Sequence, residues 1–317
     1  MDWHTLKCSA KQLNLERVLT NGQSFRWKTY QNDAKLFVGV AKSRVWLLKR
    51  LNEQDVHFAV LHKFDRATRA DEDTLRSYLS LDLDLEKLCK DWSRDDAQFA
   101  QLAESHAGLR VLAQDPVECL FSFICSQNNN VGRISALVNA LCENFGDKSV
   151  ATDEKVYYDF PTVEQLAVDG LERTLRGLKF GYRAAYIAKA AAKLQELGGA
   201  SWLDGLAQST DYEWVKEQLV SLPGVGPKVA DCVCLMSLGF PAAVPIDTHM
   251  LQVTKQFYLP HLTSMNPTTY REIAEFYREK FGRYAGWAHE VLFTARLTKE
   301  IDNSDNAAKR KRRRQLT

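Results

Sequence analysis

The stretch Val220 to Met250, VSLPGVGPKVADCVCLMSLGFPAAVPIDTHM, limits this chain's fold more than any other. Segments of helical pattern, Tyr212 to Leu222 and Val229 to Leu238, flank Leu222-Pro223-Gly224-Val225-Gly226-Pro227-Lys228. So short a link, rich in glycine and proline, has room for a tight turn and little else. The spacing therefore predicts a helix–hairpin–helix. Glycines at 224 and 226 allow positive φ and leave the backbone uncovered. Amides of Gly224, Gly226 and Val229 can then face one phosphate, helped by the N-terminus of the second helix. Such a contact grips a phosphodiester backbone without reading a base. A plain turn between packed helices fits the same residues equally well.

Lys228 stands in the first turn of the second helix. The helix dipole opposes a positive charge there, and partial burial acts in the same direction, so the amine's pKa is expected to fall. A neutral amine can attack an anomeric carbon and form a Schiff base. Its position fits equally a lysine that pairs with a phosphate. Asp247, in Val244-Pro245-Ile246-Asp247, precedes a helix starting near His249, which makes it first of all an N-cap. Aimed at the same cavity, it could also stabilise an oxocarbenium-like sugar or take a proton from Lys228. His249 is read as a phosphate contact, or else as a capping or packing histidine.

At 317 residues the chain has room for two or three domains. Its composition is 45% hydrophobic and 26% charged, as in ordinary globular proteins. No apolar run reaches the length of a membrane span, and the start lacks a signal core, so neither a membrane protein nor a secreted one is expected. Of the seven cysteines only Cys232 and Cys234 lie close, at the wrong spacing for a zinc knuckle. They are read as reduced thiols. No cysteine follows Phe293 to hold an iron–sulfur cluster. The tail Lys309 to Arg314, KRKRRR, reads as a nuclear import signal or a DNA-steering arm. Removing its six basic residues from 42 leaves 36 Lys and Arg against 40 Asp and Glu, a net of −4. A nucleic-acid surface on the body must therefore be a local basic patch.

Residues 1–105 begin β-rich. Strands are expected over Gln23 to Tyr30, Lys35 to Val40 and Arg44 to Leu48, with a turn at Asn32-Asp33. From about Glu72 the pattern becomes helical. Residues 106–300 read as successive helices: a buried one over Pro116 to Cys125 capped by Asp115, then Val131 to Phe145, Ala184 to Leu197, His249 to Tyr258, Pro267 to Phe281 and Ala285 to Thr298. Residues 301–317 are polar and are expected to be disordered.

Seven ordered blocks resemble the eukaryotic 8-oxoguanine DNA glycosylase/AP lyases, within the helix–hairpin–helix glycosylase superfamily. They are Asn21-Gly22-Gln23-Ser24-Phe25-Arg26-Trp27, Gln114 to Cys125, Asn128-Asn129-Asn130, Gly181-Tyr182-Arg183, Leu222 to Met236, Val244 to Asp247, and Tyr284 to Ala288 with Val291-Leu292-Phe293. The resemblance implies an α+β fold: an N-terminal antiparallel β domain, TBP-like, plus mainly helical domains with a cleft between them. It also implies excision of 8-oxoguanine, and of formamidopyrimidine guanine, opposite cytosine by a bifunctional enzyme of base excision repair. Lys228 matches the Schiff-base nucleophile and Asp247 the essential carboxylate. Gly22 matches the glycine whose carbonyl accepts a hydrogen bond from N7–H of the oxidised base. Cys232 and Phe293 match the walls of the base slot, with Met236 and Pro245 as further lining. Asn128, Arg133 and Arg183 match the residues that hold the orphaned cytosine, and Tyr182 the wedge.

The implied partner is double-stranded DNA carrying oxidised guanine, met by a monomer in the nucleus and also the mitochondrion, with an AP endonuclease downstream. No cofactor or catalytic metal is implied, although hairpin carbonyls could hold a structural cation. One departure stands out. The family usually has glutamine where this chain has His289, whose charge depends on pH. That keeps open a related glycosylase for another damaged purine. A non-catalytic damage-binding module is the other alternative, and Lys228 argues against it.

Overall fold

The computed structural model describes residues 2–30, 33–151 and 153–298. Strands β1 (His4–Lys7), β2 (Trp27–Tyr30), β3 (Asp33–Ala41), β4 (Arg44–Arg50) and β5 (Asp55–Lys63) form one antiparallel sheet in the order β1-β5-β4-β3-β2. Its central strands are apolar on both faces. Phe37, Ala41, Trp46 and Leu48 enter one core, while Val38, Val40, Val45 and Leu47 enter another. Both faces therefore need cover. Residues of a small hairpin, β6 (Lys148–Val150) and β7 (Val156–Tyr158), cover the second. Opposite Trp27, only glycine fits at position 39: an added Cβ would lie 2.3 Å from the indole.

Of the strand expected over Gln23 to Tyr30, only Trp27–Tyr30 pairs. Gln23 to Arg26 instead form a buried loop, and the polar groups of Gln23 are satisfied outside the sheet. Gln23 donates through Nε2 to the Arg110 carbonyl (2.8 Å) and accepts from Leu112 N (2.9 Å). Strands β1 and β5 and the small hairpin were not expected. β1 is only four residues long, and His57 and His62 blur the alternation in β5. Asn32 of the expected turn lies outside the described residues, as does the basic tail.

The helices form two cores. Helix Pro116–Ser126 is buried from Val117 to Cys125 and packs against helices Val131–Phe145, Arg183–Leu197, Ala200–Ala207 and Pro227–Met236. Asp115 caps it as expected, accepting from Val117 N (2.9 Å) and Glu118 N (3.1 Å). The last helices, Thr248–Phe257, Pro267–Phe281 and 285–298, join the other core with the sheet and helices Asp71–Tyr78 and Ala97–Ser105. The chain passes from one core to the other between Ala243 and Val244. Lys228 thus belongs to one core and Asp247 to the other.

Burial pushes the Glu118 carboxyl up to about 7, and the Arg26 charge opposes this only in part. Raised above its unfolded value, this group binds more protons in the native state between about pH 4.5 and 7. Stability is therefore lost as pH rises through that window, and the penalty is complete above it. Glu118→Gln should raise stability at pH 8 by roughly 1–3 kcal/mol and change little at pH 4.5, as measured by denaturant melts at the two values.

Candidate active site

The hairpin begins where helix Tyr212–Val220 ends. Val225 N donates to the Leu222 carbonyl (3.1 Å) and closes the turn. Gly224 sits at φ +79, and a Cβ there would meet the Tyr186 side chain at 2.5 Å, so two constraints demand glycine. Gly226 differs from the expectation: its backbone is extended (φ −94, ψ 176). It caps helix Pro227–Met236 without a side chain, and nothing would crowd a Cβ there. The helix starts at Pro227 rather than Val229, since proline fits the first helical position. First-turn amides have no acceptor within a helix, so those of Lys228 and Val229 face outward from an uncapped end. Gln127, which carried no role in the sequence reading, pins the hairpin by donating through Nε2 to the Gly224 carbonyl (2.8 Å).

Lys228 is half-buried, with Nζ 4.9 Å from the centre of the Phe123 ring. Burial pulls its pKa down, but Cys232, Asp247 and Glu290 together raise it above the ordinary lysine value. The expected fall does not occur, because Cys232 first, then Asp247 and Glu290 from the other core, outweigh desolvation. Cys232, one turn on, forms a side-chain hydrogen bond with Lys228, and burial pushes its thiol up to about 11. It is therefore a neutral neighbour at pH 7. The resting amine is an ammonium and must lose a proton before it can attack.

Asp247 is the N-cap of helix Thr248–Phe257, accepting from His249 N (2.9 Å) and Met250 N (3.0 Å). Its link to the hairpin helix runs through Asp231, a fully buried carboxylate bound by Tyr212 (2.5 Å), by Lys216 Nζ (2.9 Å) and by the Tyr270 hydroxyl. That hydroxyl also accepts from Ile246 N (3.2 Å), next to Asp247. Asp231 was not singled out from the sequence. The available signal was a lone acid in the apolar part of the helix beyond Lys228, which must find partners.

Cys232, Met236 and Pro245 are buried, and Met236 accepts through its carbonyl from Gln114 N (2.7 Å). His289 is 3% exposed and lies parallel to Phe293, with centroids 6.0 Å apart; His249 meets Phe293 edge-on. Burial lowers His289 to about 4, and the Lys228 charge adds to this. Its imidazole is therefore neutral at pH 6–8, contrary to the pH-dependent charge expected from sequence. Asp247 and a backbone contact at Pro245 favour the charged ring, but burial prevails. Gly22 (φ +94) belongs to a loop tied to this group by Asn21, which donates to Glu290 (3.0 Å).

A second cluster lies around Gln127. Its carbonyl accepts from the Tyr182 hydroxyl (3.1 Å) and from Arg183 Nε (3.1 Å), and Arg183 also donates to the Asn128 carbonyl (3.0 Å). Arg183 is buried and stacks on Tyr182 at 4.6 Å. Asn128 (φ +45), Arg133 and Tyr182 are exposed. Among the described residues, no cluster of three His, Cys, Asp or Glu is placed to hold a metal ion. A cavity of about 580 Å³, lined by Lys7, Gln12, Arg76, Asp84 and Arg110, lies apart and includes none of these residues.

Capping and charge at position 247 are separable, because asparagine caps as well as aspartate. Asp247→Asn should keep stability within about 0.5 kcal/mol of the parent, whereas Asp247→Ala should lose about 1 kcal/mol, read by denaturant melts.

Comparison with known proteins gives this arrangement its relatives. Residues 5–120 match the N-terminal domain of 8-oxoguanine DNA glycosylase, and residues 121–280 match the HhH-GPD superfamily of base excision DNA repair proteins. The chain is 35% identical to the N-glycosylase/DNA lyase of Saccharomyces cerevisiae, over 92% of this chain and 85% of that one. It is 36% identical to the N-glycosylase/DNA lyase OGG1 of Arabidopsis thaliana, over 93% and 80%. Its fold matches the 8-oxoguanine glycosylase/lyase of Clostridium acetobutylicum, solved with double-stranded DNA containing cytosine opposite 8-oxoG. That match has a TM-score of 0.79 at 28% identity and covers 95% of this chain and 99% of that one. With family models matching residues 5–120 and 121–280 and two relatives above 30% identity over most of its length, the chain belongs to the 8-oxoguanine DNA glycosylase/lyase family of helix–hairpin–helix repair proteins.

Proposed function

We infer that this protein removes 8-oxoguanine lying opposite cytosine in duplex DNA and then cuts the strand at the resulting abasic site. The observation that carries this reading is Lys228, held on the hairpin helix beside Cys232 and under the influence of Asp247 from the other core. After proton loss, its amine bonds to C1′ of the flipped nucleoside and the C1′–N9 bond breaks, with the electron pair leaving on the base. The C1′–O4′ bond then opens with O4′ taking up a proton, and the resulting Schiff base loses a C2′ proton and the 3′ phosphate by β-elimination. Asp247 supports positive charge on the sugar, or takes the amine's proton. Amides of Gly224, Gly226 and Val229, with His249, take the phosphates. Asn128, Arg133 and Arg183 hold the cytosine, which requires Arg183 to exchange carbonyl partners for base edges, and Tyr182 is the wedge.

Cys232, Phe293, Met236 and Pro245 enclose the base, while the Gly22 carbonyl tests N7. An oxidised guanine carries N7–H and donates; normal guanine has a lone pair there and repels the carbonyl. Neutral His289 offers one donor and one acceptor to the base edge. The proposed setting is a monomer on nuclear or mitochondrial DNA, with an AP endonuclease acting next.

Borohydride added during reaction with 8-oxoguanine·cytosine duplex should trap a covalent adduct, and Lys228→Gln should yield none. An adduct that survives this substitution would remove Lys228 as the nucleophile. Asp247→Asn, although folded, should lose about 100-fold in single-turnover excision. Because the resting amine is charged, trapping should accelerate from pH 6 to pH 8. His289 stays neutral across this range, so the ratio of 8-oxoguanine to guanine excision should stay flat.

A further inference from the structure

Glu290 is 3% exposed in helix 285–298, and neither the hairpin nor the base slot assigns it a task. Its Oε1 accepts from Asn21 Nδ2 at 3.0 Å, joining residues 269 apart in sequence. The other end of that amide, Asn21 Oδ1, accepts from Gln23 N at 3.2 Å. This amide N–H belongs to the same planar unit as the Gly22 carbonyl, and in a trans peptide the two point in opposite directions. Holding the N–H on one side therefore fixes the carbonyl on the other. Gly22, at φ +94 and lacking a side chain, has little of its own to prevent this peptide from rotating.

We propose that Glu290 is a positioning residue: through Asn21 it orients the Gly22–Gln23 peptide, and so sets the acceptor that distinguishes oxidised from normal guanine. Burial pushes the Glu290 carboxyl up to about 7, against the Lys228 charge; in either protonation state Oε1 can accept, so it turns the Asn21 NH₂ toward itself and leaves Oδ1 facing Gln23 N. The far side of the peptide is already immobile, since the buried Gln23 side chain is bonded to Arg110 and Leu112, and its carbonyl accepts from Gln114 Nε2 (2.8 Å). Charged groups coupled to Glu290 are Lys228 and Asp247; His289 adjoins it in sequence and is neutral.

This proposal rests on the reading of Gly22 given above, and the test separates the two. Single-turnover excision would be measured with the full chain on duplexes carrying 8-oxoguanine or guanine opposite cytosine, alongside strand cutting at a preformed abasic site, which has no base to read. Asn21→Ala should slow 8-oxoguanine excision about tenfold, the worth of roughly one hydrogen bond, and leave abasic-site cutting within about twofold. Glu290→Ala should slow excision similarly, and Glu290→Gln, which retains an acceptor oxygen, should restore most of it. Equal loss of excision and abasic-site cutting in Asn21→Ala would overturn the proposal, as would unchanged excision. A Glu290→Gln variant as slow as Glu290→Ala would also overturn it, by pointing to the charge near Lys228 instead. If the parent enzyme excises 8-oxoguanine and guanine alike, the Gly22 reading itself fails and the proposal with it.

Discussion

Everything at this site depends on how the Lys228 amine is held between two hydrophobic cores. The hairpin helix packs on the apolar helix Pro116–Ser126, which places the amine over Phe123. The opposite wall, carrying Asp247 and Glu290, is built by a separate core that includes the N-terminal sheet. Desolvation lowers the pKa of this nitrogen, while Cys232 on its own helix and the carboxyls of Asp247 and Glu290 from the second core raise it, and the raising groups prevail. The resting protein therefore holds the proposed nucleophile as an ammonium, attractive to a phosphate backbone but chemically silent.

A site shared between two cores must be kept in register, and polar groups provide the ties. Buried Asp231 joins the hairpin helix to Tyr270 and thence to Ile246, next to Asp247. Gln127 joins the end of helix Pro116–Ser126 to Gly224 of the hairpin, and its carbonyl also holds Tyr182 and Arg183. Asn21 and Glu290 join the Gly22 loop to the last described helix. Buried donors and acceptors are costly when unpaired, so each tie admits few alternative geometries. The apolar cores supply most of the cohesion, and these few bonds select the alignment.

The helical half was legible because its signals are local. Asp115 with Pro116 marks a helix start by capping chemistry, and the observed cap falls there; the helices expected from Val131 and Pro267 also begin at those residues, capped by Asn130 and Asn266. The central strands β3 and β4 were legible from their apolar density. β1 and β5 were not: β1 is four residues long and β5 is interrupted by histidines, and each becomes a strand only by pairing with a neighbour. Gln23 to Phe25 looked like strand, yet they serve as a buried loop because Arg110 to Gln114 supplies their hydrogen bonds. At the site itself, the hairpin, Lys228 and Asp247 announced themselves through turn chemistry and spacing. Asp231, Gln127 and Glu290 did not, since each acts through a partner distant in the chain.

The amino-acid order alone determined the hairpin, the helix starts and the identity of the nucleophile candidate, since glycine, proline and capping residues act over a few neighbouring positions. The charge state of Lys228 was left to the tertiary structure, and local reasoning from the helix dipole and burial gave the wrong direction. Electrostatic potential at a buried nitrogen is a sum over everything nearby in space, and here Cys232 one turn on is joined by carboxyls that arrive from residues 247 and 290. The same holds for His289, whose neutrality comes from enclosure by distant segments rather than from its own side chain.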